Sequence, residues 1–188
     1  TTASNNTALG KDAGANVTTG GNNTLIGRSA GVSSTTGTES VALGSNSLSA
    51  NTEGTANTAL GAYALRNDTL GSRSVAVGHQ ALNAQNFTSA TSAYNVAVGA
   101  NAGAAVTTGV QNTFIGGLAG DATDDGTNNV AVGFEALSAN CGSGNTTVGT
   151  RAGKATTADN NTFVGNNAGT ATTTASNNTA VGKSALAA

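Results

Sequence analysis

His79 is the only histidine and Cys141 the only cysteine in the 188 residues. A nucleophile needs a base within hydrogen-bond reach, and a structural metal site needs several soft ligands at short spacing. These two residues are four repeat units apart, with His79 at an exposed corner and Cys141 on a loop, so one chain offers neither arrangement. A lone thiol can bridge chains in an oxidising setting, but nothing around Cys141 favours that. Asp121, Asp124 and Asp125, followed by Gly126, form the one acidic cluster. Carboxylates beside a turn glycine can ligate Ca²⁺. Their spacing matches neither an EF-hand nor the nonapeptide calcium repeat, and a solvated turn is the simpler expectation. Phe87 and Tyr94 fall in the one long interval of the chain and are read either as a contact loop for a ligand or as a tolerated insertion. No cofactor is expected.

Composition narrows the classes further. There is no Pro, Met or Trp, and only six aromatic residues, two Tyr and four Phe. A conventional globular core is not expected from such contents. Seven basic residues against nine acidic leave a net charge of −2, so there is no basic stripe to neutralise a phosphate backbone and no nucleic-acid partner is expected. No run approaches the roughly 18 apolar residues that span a bilayer. The chain opens on Thr1 without a signal-like segment, which suggests a processed product or a piece excised from something longer. Sequons such as Asn16-Val17-Thr18 and Asn67-Asp68-Thr69 arise from composition alone.

What positions these residues is a repeat. Eleven times the chain reads Asn or Ser, Thr or Val, a variable residue, a branched aliphatic residue and Gly. The phrases close at Gly10, Gly27, Gly44, Gly61, Gly78, Gly99, Gly116, Gly133, Gly149, Gly165 and Gly182. Seven of the ten intervals are 17 residues, two are 16 and one is 21. A short fixed period signals stacked units, each leaning on its neighbours. Residues 1–188 are therefore read as one array. Residues 1–8 recur unchanged at 173–180, and Gly10-Lys11 is matched by Gly182-Lys183. The two ends are in phase, as in a cut from a longer array or in copies that stack end to end.

Within a unit, the residue before the glycine is always aliphatic and the residue two earlier is always β-branched, as in Thr24-Leu25-Ile26. These two share one face of a short strand. The residue between them is usually Ala, with Leu25, Phe114, Thr147 and Phe163 as exceptions, and its small size predicts a close cover, assigned here to a neighbouring chain. Three residues past the glycine stands Ala, or Ser47, followed by Gly or Leu, which predicts a second inward segment. Strand, corner, short strand, corner is one lap of a parallel β-solenoid. Eleven laps at ~4.8 Å each make a rod of roughly 50 Å. Asn6, Asn23, Asn57, Asn95, Asn112, Asn129, Asn145, Asn161 and Asn178 would then form a structural ladder, amide above amide. A few small apolar side chains per lap make a thin core, so an obligate homo-oligomer is expected.

The phrases Asn-Thr-Ala-Leu-Gly (residues 6–10) and Ser-Val-Ala-Leu-Gly (residues 40–44) resemble the head repeats of trimeric autotransporter adhesins, the YadA-like heads. The 17-residue variant, with Asn-Thr-Ala-Val-Gly-x-x-Ala-Leu and Thr-Thr-Gly, is similar to repeats in long bacterial and viral fibres, phage tail fibres included. The resemblance covers essentially the whole chain. It implies a left-handed parallel β-roll, a homotrimer, and attachment at a cell or virion surface. The coiled-coil stalk, membrane anchor and carboxy-terminal domain of such adhesins are not among these residues.

The expected function is a non-enzymatic, extracellular fibre segment that attaches surfaces by many weak contacts to an unidentified host or matrix ligand. A tail-fibre segment is the alternative. An ice-binding solenoid is the second alternative, weakened because Thr18-Thr19, Thr35-Thr36 and Thr107-Thr108 are not matched in every unit. An enzyme ranks last.

Overall fold

The computed structural model describes residues 3–187 and contains strands, turns and no helix among them. Its strands are β1 (Thr7–Leu9), β2 (Thr24–Ile26), β3 (Val41–Leu43), β4 (Thr58–Leu60), β5 (Gly71–Ser72), β6 (Val75–Val77), β7 (Thr91–Ser92), β8 (Val96–Val98), β9 (Thr113–Ile115), β10 (Val130–Val132), β11 (Thr146–Val148), β12 (Thr162–Val164) and β13 (Thr179–Val181). Eleven of them, all but β5 and β7, form one parallel sheet in chain order. Every pairing is in repeat register, for example Thr24↔Val41, Leu25↔Ala42 and Ile26↔Leu43. The chain is an all-β parallel solenoid with a 17-residue lap.

The rungs are joined by hydrogen bonds of regular pattern. The Thr7 N–H donates to the Asn23 carbonyl at 2.8 Å and the Gly27 N–H to the Leu9 carbonyl at 2.8 Å, and the same pairing recurs upward. β5 and β7 pair only with each other, where the 21-residue interval between Gly78 and Gly99 makes a local second sheet.

The second inward segment is not a strand. It is a run of tight turns in which residues two and four past the glycine take positive φ, as at Asn46 (55°) and Leu48 (52°) or Asn101 (56°) and Gly103 (58°). A third such residue, Asn22 (59°) or Asn128 (59°) for example, stands two before the strand. Left-handed backbone cannot continue an extended ladder, and it is tolerated best by Gly and Asn, which accounts for much of the unusual composition. These turns still stack: the Leu48 N–H donates to the Ala64 carbonyl at 3.0 Å and the Leu65 N–H to the Ala81 carbonyl at 3.0 Å.

The interior belongs to the middle residue of each strand. Leu25, Ala42, Ala59, Ala76, Ala97, Phe114, Ala131 and Phe163 are buried, packed against the Ala and Leu of the turn segment, such as Ala64, Leu65, Ala136 and Leu137. This corrects the expectation that a neighbouring chain covers the alanine side: the alanines are small because the opposite wall of the same lap is close. Volumes are exchanged across that space. Where the strand offers Ala59, Ala76 or Ala131, the turn offers Leu65, Leu82 or Leu137; where the strand offers Phe114 or Phe163, the turn offers Gly120 or Gly169. A Cβ on Gly120 would lie 2.5 Å from the Phe114 ring, and one on Gly169 2.5 Å from the Phe163 ring.

Candidate functional site

Turning the alanines inward turns the flanking residues outward. The aliphatic file Leu9, Ile26, Leu43, Leu60, Val77, Val98, Ile115, Val132, Val148, Val164 and Val181 is half-buried to exposed throughout, with Leu43 48% and Ile115 41% accessible. Beside it runs the β-branched file that contains Thr24, Val41, Val75, Thr113 and Val130, also partly exposed. Because all eleven strands are three residues long and in register, the two files form a continuous, narrow strip along the rod, one file wholly aliphatic and the other Thr at seven of its eleven places. The described residues enclose no pocket.

The sequence candidates sit elsewhere. Asp124 is bonded to the Thr107 hydroxyl, and its N–H donates to Asn140 Oδ1 at 3.1 Å. Asp121 Oδ1 is buried without a partner, and burial raises its carboxyl above the ordinary value. Among the described residues no group of three His, Cys, Asp or Glu side chains is close enough to hold a metal ion. The Asp121, Asp124 and Asp125 trio is thus not gathered around a common point.

Phe87 and Tyr94 are not a surface pair. Phe87 is buried, while Tyr94 is exposed under the Arg73 guanidinium, 5.8 Å from its ring centre. His79 packs edge-on against Tyr63 with ring centres 6.0 Å apart. Cys141 is buried with its Sγ 3.2 Å from Thr123 Oγ1, and burial pushes its thiol up.

The asparagine ladder bonds differently from amide on amide. Asn6 Oδ1 accepts the Asn23 N–H of the next rung at 2.9 Å, and Asn6 Nδ2 donates to the Gly20 carbonyl across the lap at 2.9 Å. Asn23, Asn57, Asn95, Asn112 and Asn129 repeat the carbonyl contact with Gly37, Gly71, Gly109, Gly126 and Gly142. Each amide therefore ties its own strand to its own corner and to the rung above. Direct amide-to-amide contacts occur only toward the far end, at Asn145, Asn161 and Asn178.

Two further features were not read from the sequence. Thr18, Thr35 and Thr52 stack in register, each Oγ1 donating to the next Thr carbonyl at 3.0–3.2 Å. Their hydroxyls are spent on the backbone and do not present a free lattice-matching array. Asp68 is buried among uncharged groups. It accepts the Gly71 N–H at 3.0 Å and Gln85 Nε2 at 2.6 Å, and Gln85 in turn contacts Ser74 and Asn95. Burial raises its carboxyl, against the hydrogen bonds from Gln85, Gly71 and Phe87, which lower it. Its place, seven residues past Gly61, is that of Ser34 and Asn51 in the preceding laps, and a polar residue there was the available signal.

On the surface, Glu135 receives Lys154 Nζ at 2.7 Å and Arg151 Nε at 2.8 Å, and these two bonds hold its carboxyl below the ordinary value. Comparison of the chain with protein-family models, curated proteins and solved structures gives no match.

Proposed function

We propose that this chain is a non-enzymatic rod segment of an extracellular adhesive fibre, held together with copies of itself through the apolar strip of its sheet. The observation that carries the reading is the unbroken file of half-buried to exposed aliphatic side chains over eleven rungs. Contiguous apolar surface of that kind marks an interaction site. A file in which every rung contributes the same side-chain type suits a partner with the same 4.8 Å repeat, and a second copy of the chain has it. The resemblance to adhesin heads supplies the number three, the left-handed sense and the setting at a cell or virion surface. Attachment then arises from repetition: many weak contacts on a stiff rod act together. A tail-fibre segment would use the same architecture.

The ice-binding reading is weakened by the strip itself. Its outer hydroxyls are interrupted at Val41, Val75, Val96 and Val130, and its second file is wholly aliphatic.

Analytical ultracentrifugation of the purified chain tests the assembly. The expected result is that the smallest species present is an oligomer whose mass is a small multiple of 17.9 kDa. Val98→Asp together with Ile115→Asp should give monomers that keep the β-type circular dichroism. A wild-type chain that stays monomeric at micromolar concentration overturns the proposal.

A further inference from the structure

We propose that the exposed Tyr94 ring, the Arg73 guanidinium beside it and the hydroxyls of the inserted loop form a binding site for a carboxylated sugar of an oligosaccharide. The inference rests on the reading of the chain as an attachment segment, for which it names a ligand, and does not depend on the lateral assembly.

The site is built where the repeat is broken. Two residues before the main-sheet strand the chain takes a positive φ, and that place holds Asn5, Asn22, Asn128, Asn160 and Asn177 in five of the laps. On two consecutive rungs, paired as Val75↔Val96, it holds Arg73 (61°) and Tyr94 (52°) instead. Left-handed backbone is costly for long and aromatic side chains, and such strain collects where a protein binds or reacts. The sheet of β5 and β7, found in no other lap among the described residues, leads into this pair through Gly71↔Thr91 and Ser72↔Ser92. The Ala93 N–H donates to the Ser72 carbonyl at 3.0 Å. The inserted loop is anchored from below: Phe87 is buried, the Thr69 hydroxyl donates to the Phe87 carbonyl at 2.9 Å, and Gln85 is fixed among Asp68, Ser74 and Asn95. Thr88, Ser89, Ala90 and Ser92 are left exposed.

Each component has capacity to spare. Arg73 Nη1 donates to the Ser92 hydroxyl, which holds the guanidinium at the ring and leaves most of its donors free. The ion pairs among the described residues are those of Glu135 with Arg151 and Lys154, so no carboxylate of this chain neutralises Arg73. Tyr94 is 51% exposed. A planar fork with free donors suits a carboxylate, a half-open ring suits a face of C–H groups, and the loop hydroxyls with the exposed Gln111 amide on the next rung suit hydroxyls. A carboxylated sugar carries all three on one ring. The surface has no pocket to take a peptide side chain. The second tyrosine is closed to such a role, because Tyr63 is half-buried with Arg66 over its face at 5.2 Å and His79 against it edge-on.

The purified chain is passed over immobilised oligosaccharides carrying glucuronate, galacturonate or N-acetylneuraminate, over the same oligosaccharides with the carboxyl reduced to the alcohol, and over polyglutamate. At least one carboxylated oligosaccharide should be held about tenfold more tightly than its reduced form, and polyglutamate should not be held. Arg73→Gln should erase that margin. Tyr94→Asn should weaken binding about fivefold with thermal stability equal to or above wild type, since asparagine is the residue the repeat itself uses there. Arg66→Gln should leave binding unchanged. Retention of none of the carboxylated oligosaccharides, equal retention of polyglutamate, or full binding by Tyr94→Asn would overturn the proposal. Sedimentation of the same samples separates the two readings: an oligomer that holds no oligosaccharide refutes this site alone, and a monomer that holds one refutes only the lateral contact.

Discussion

The Phe114 ring lies 2.5 Å from the point where a Cβ on Gly120 would sit, so the ring occupies the volume that a leucine fills in the Ala59/Leu65 lap. Strand centre and turn therefore share space in the Phe114 and Phe163 laps, and at Gly103 the Phe114 ring reaches across from the next lap. Phe114→Ala should cost about 3–5 kcal/mol as a cavity. Gly120→Leu alone should also destabilise, because the ring blocks it. The double variant should recover part of the Phe114→Ala loss, less about 1–2 kcal/mol for leucine in left-handed backbone, a conformation Leu65, Leu82 and Leu137 already hold. Urea unfolding midpoints decide it: a double variant no more stable than Phe114→Ala contradicts the exchange of volume.

The glycine that closes each phrase has a different reason. At Gly116, φ is 133° and a Cβ would meet the Gly133 carbonyl oxygen at 2.5 Å, whereas at Gly182, with φ 128°, the nearest atom is Ala185 Cβ at 4.0 Å. Gly116→Ala combines backbone strain of about 1–3 kcal/mol with a clash against the next rung. Gly182→Ala carries the strain alone. Thermal unfolding of the two should show Gly116→Ala clearly the more damaging; equal losses would mean that conformation, not rung-to-rung contact, fixes the glycine.

The repeat made the lap, the strand and the register legible, because an aliphatic residue before each glycine and a β-branched one two earlier leave little choice of period or element. Which strand face points inward was not legible. Small residues at the centre, such as Ala42 and Ala97, signal close approach but do not say whether the approaching wall belongs to another chain or to the same lap. The left-handed turns were half visible: Asn46, Asn101 and Asn167 mark them, but Leu48 and Tyr63 at equivalent φ do not advertise them. Phe87 and Tyr94 are near in sequence, yet one points into the rod and the other out, because the inserted loop turns between them.

Cys141 tests how tightly the interior is closed. Its Sγ is buried beside Thr123, and loss of hydration raises the thiol above its ordinary value, which keeps the reactive thiolate scarce. Alkylation at pH 8 should be slow in the folded chain and fast in denaturant. Rapid labelling of the folded chain would mean that the lap at Thr123 opens readily.

Asp68 should give the fold a measurable pH slope. Burial holds its carboxyl above the ordinary value of 3.8, so the folded chain retains the proton more tightly than the unfolded one. The contribution of such a group to stability is complete below that ordinary value and fades as the pH rises through the folded-state value. Stability should therefore decline as the pH climbs out of the carboxylate range. Asp121, also raised by burial, acts in the same direction, so the difference between wild type and Asp68→Asn isolates Asp68. That difference should shift in favour of the variant with rising pH, since an amide has no proton to lose and can still accept the Gly71 N–H. Urea titrations of both proteins at several pH values give the curve, and parallel stability profiles would show that Asp68 binds its proton no more tightly folded than unfolded.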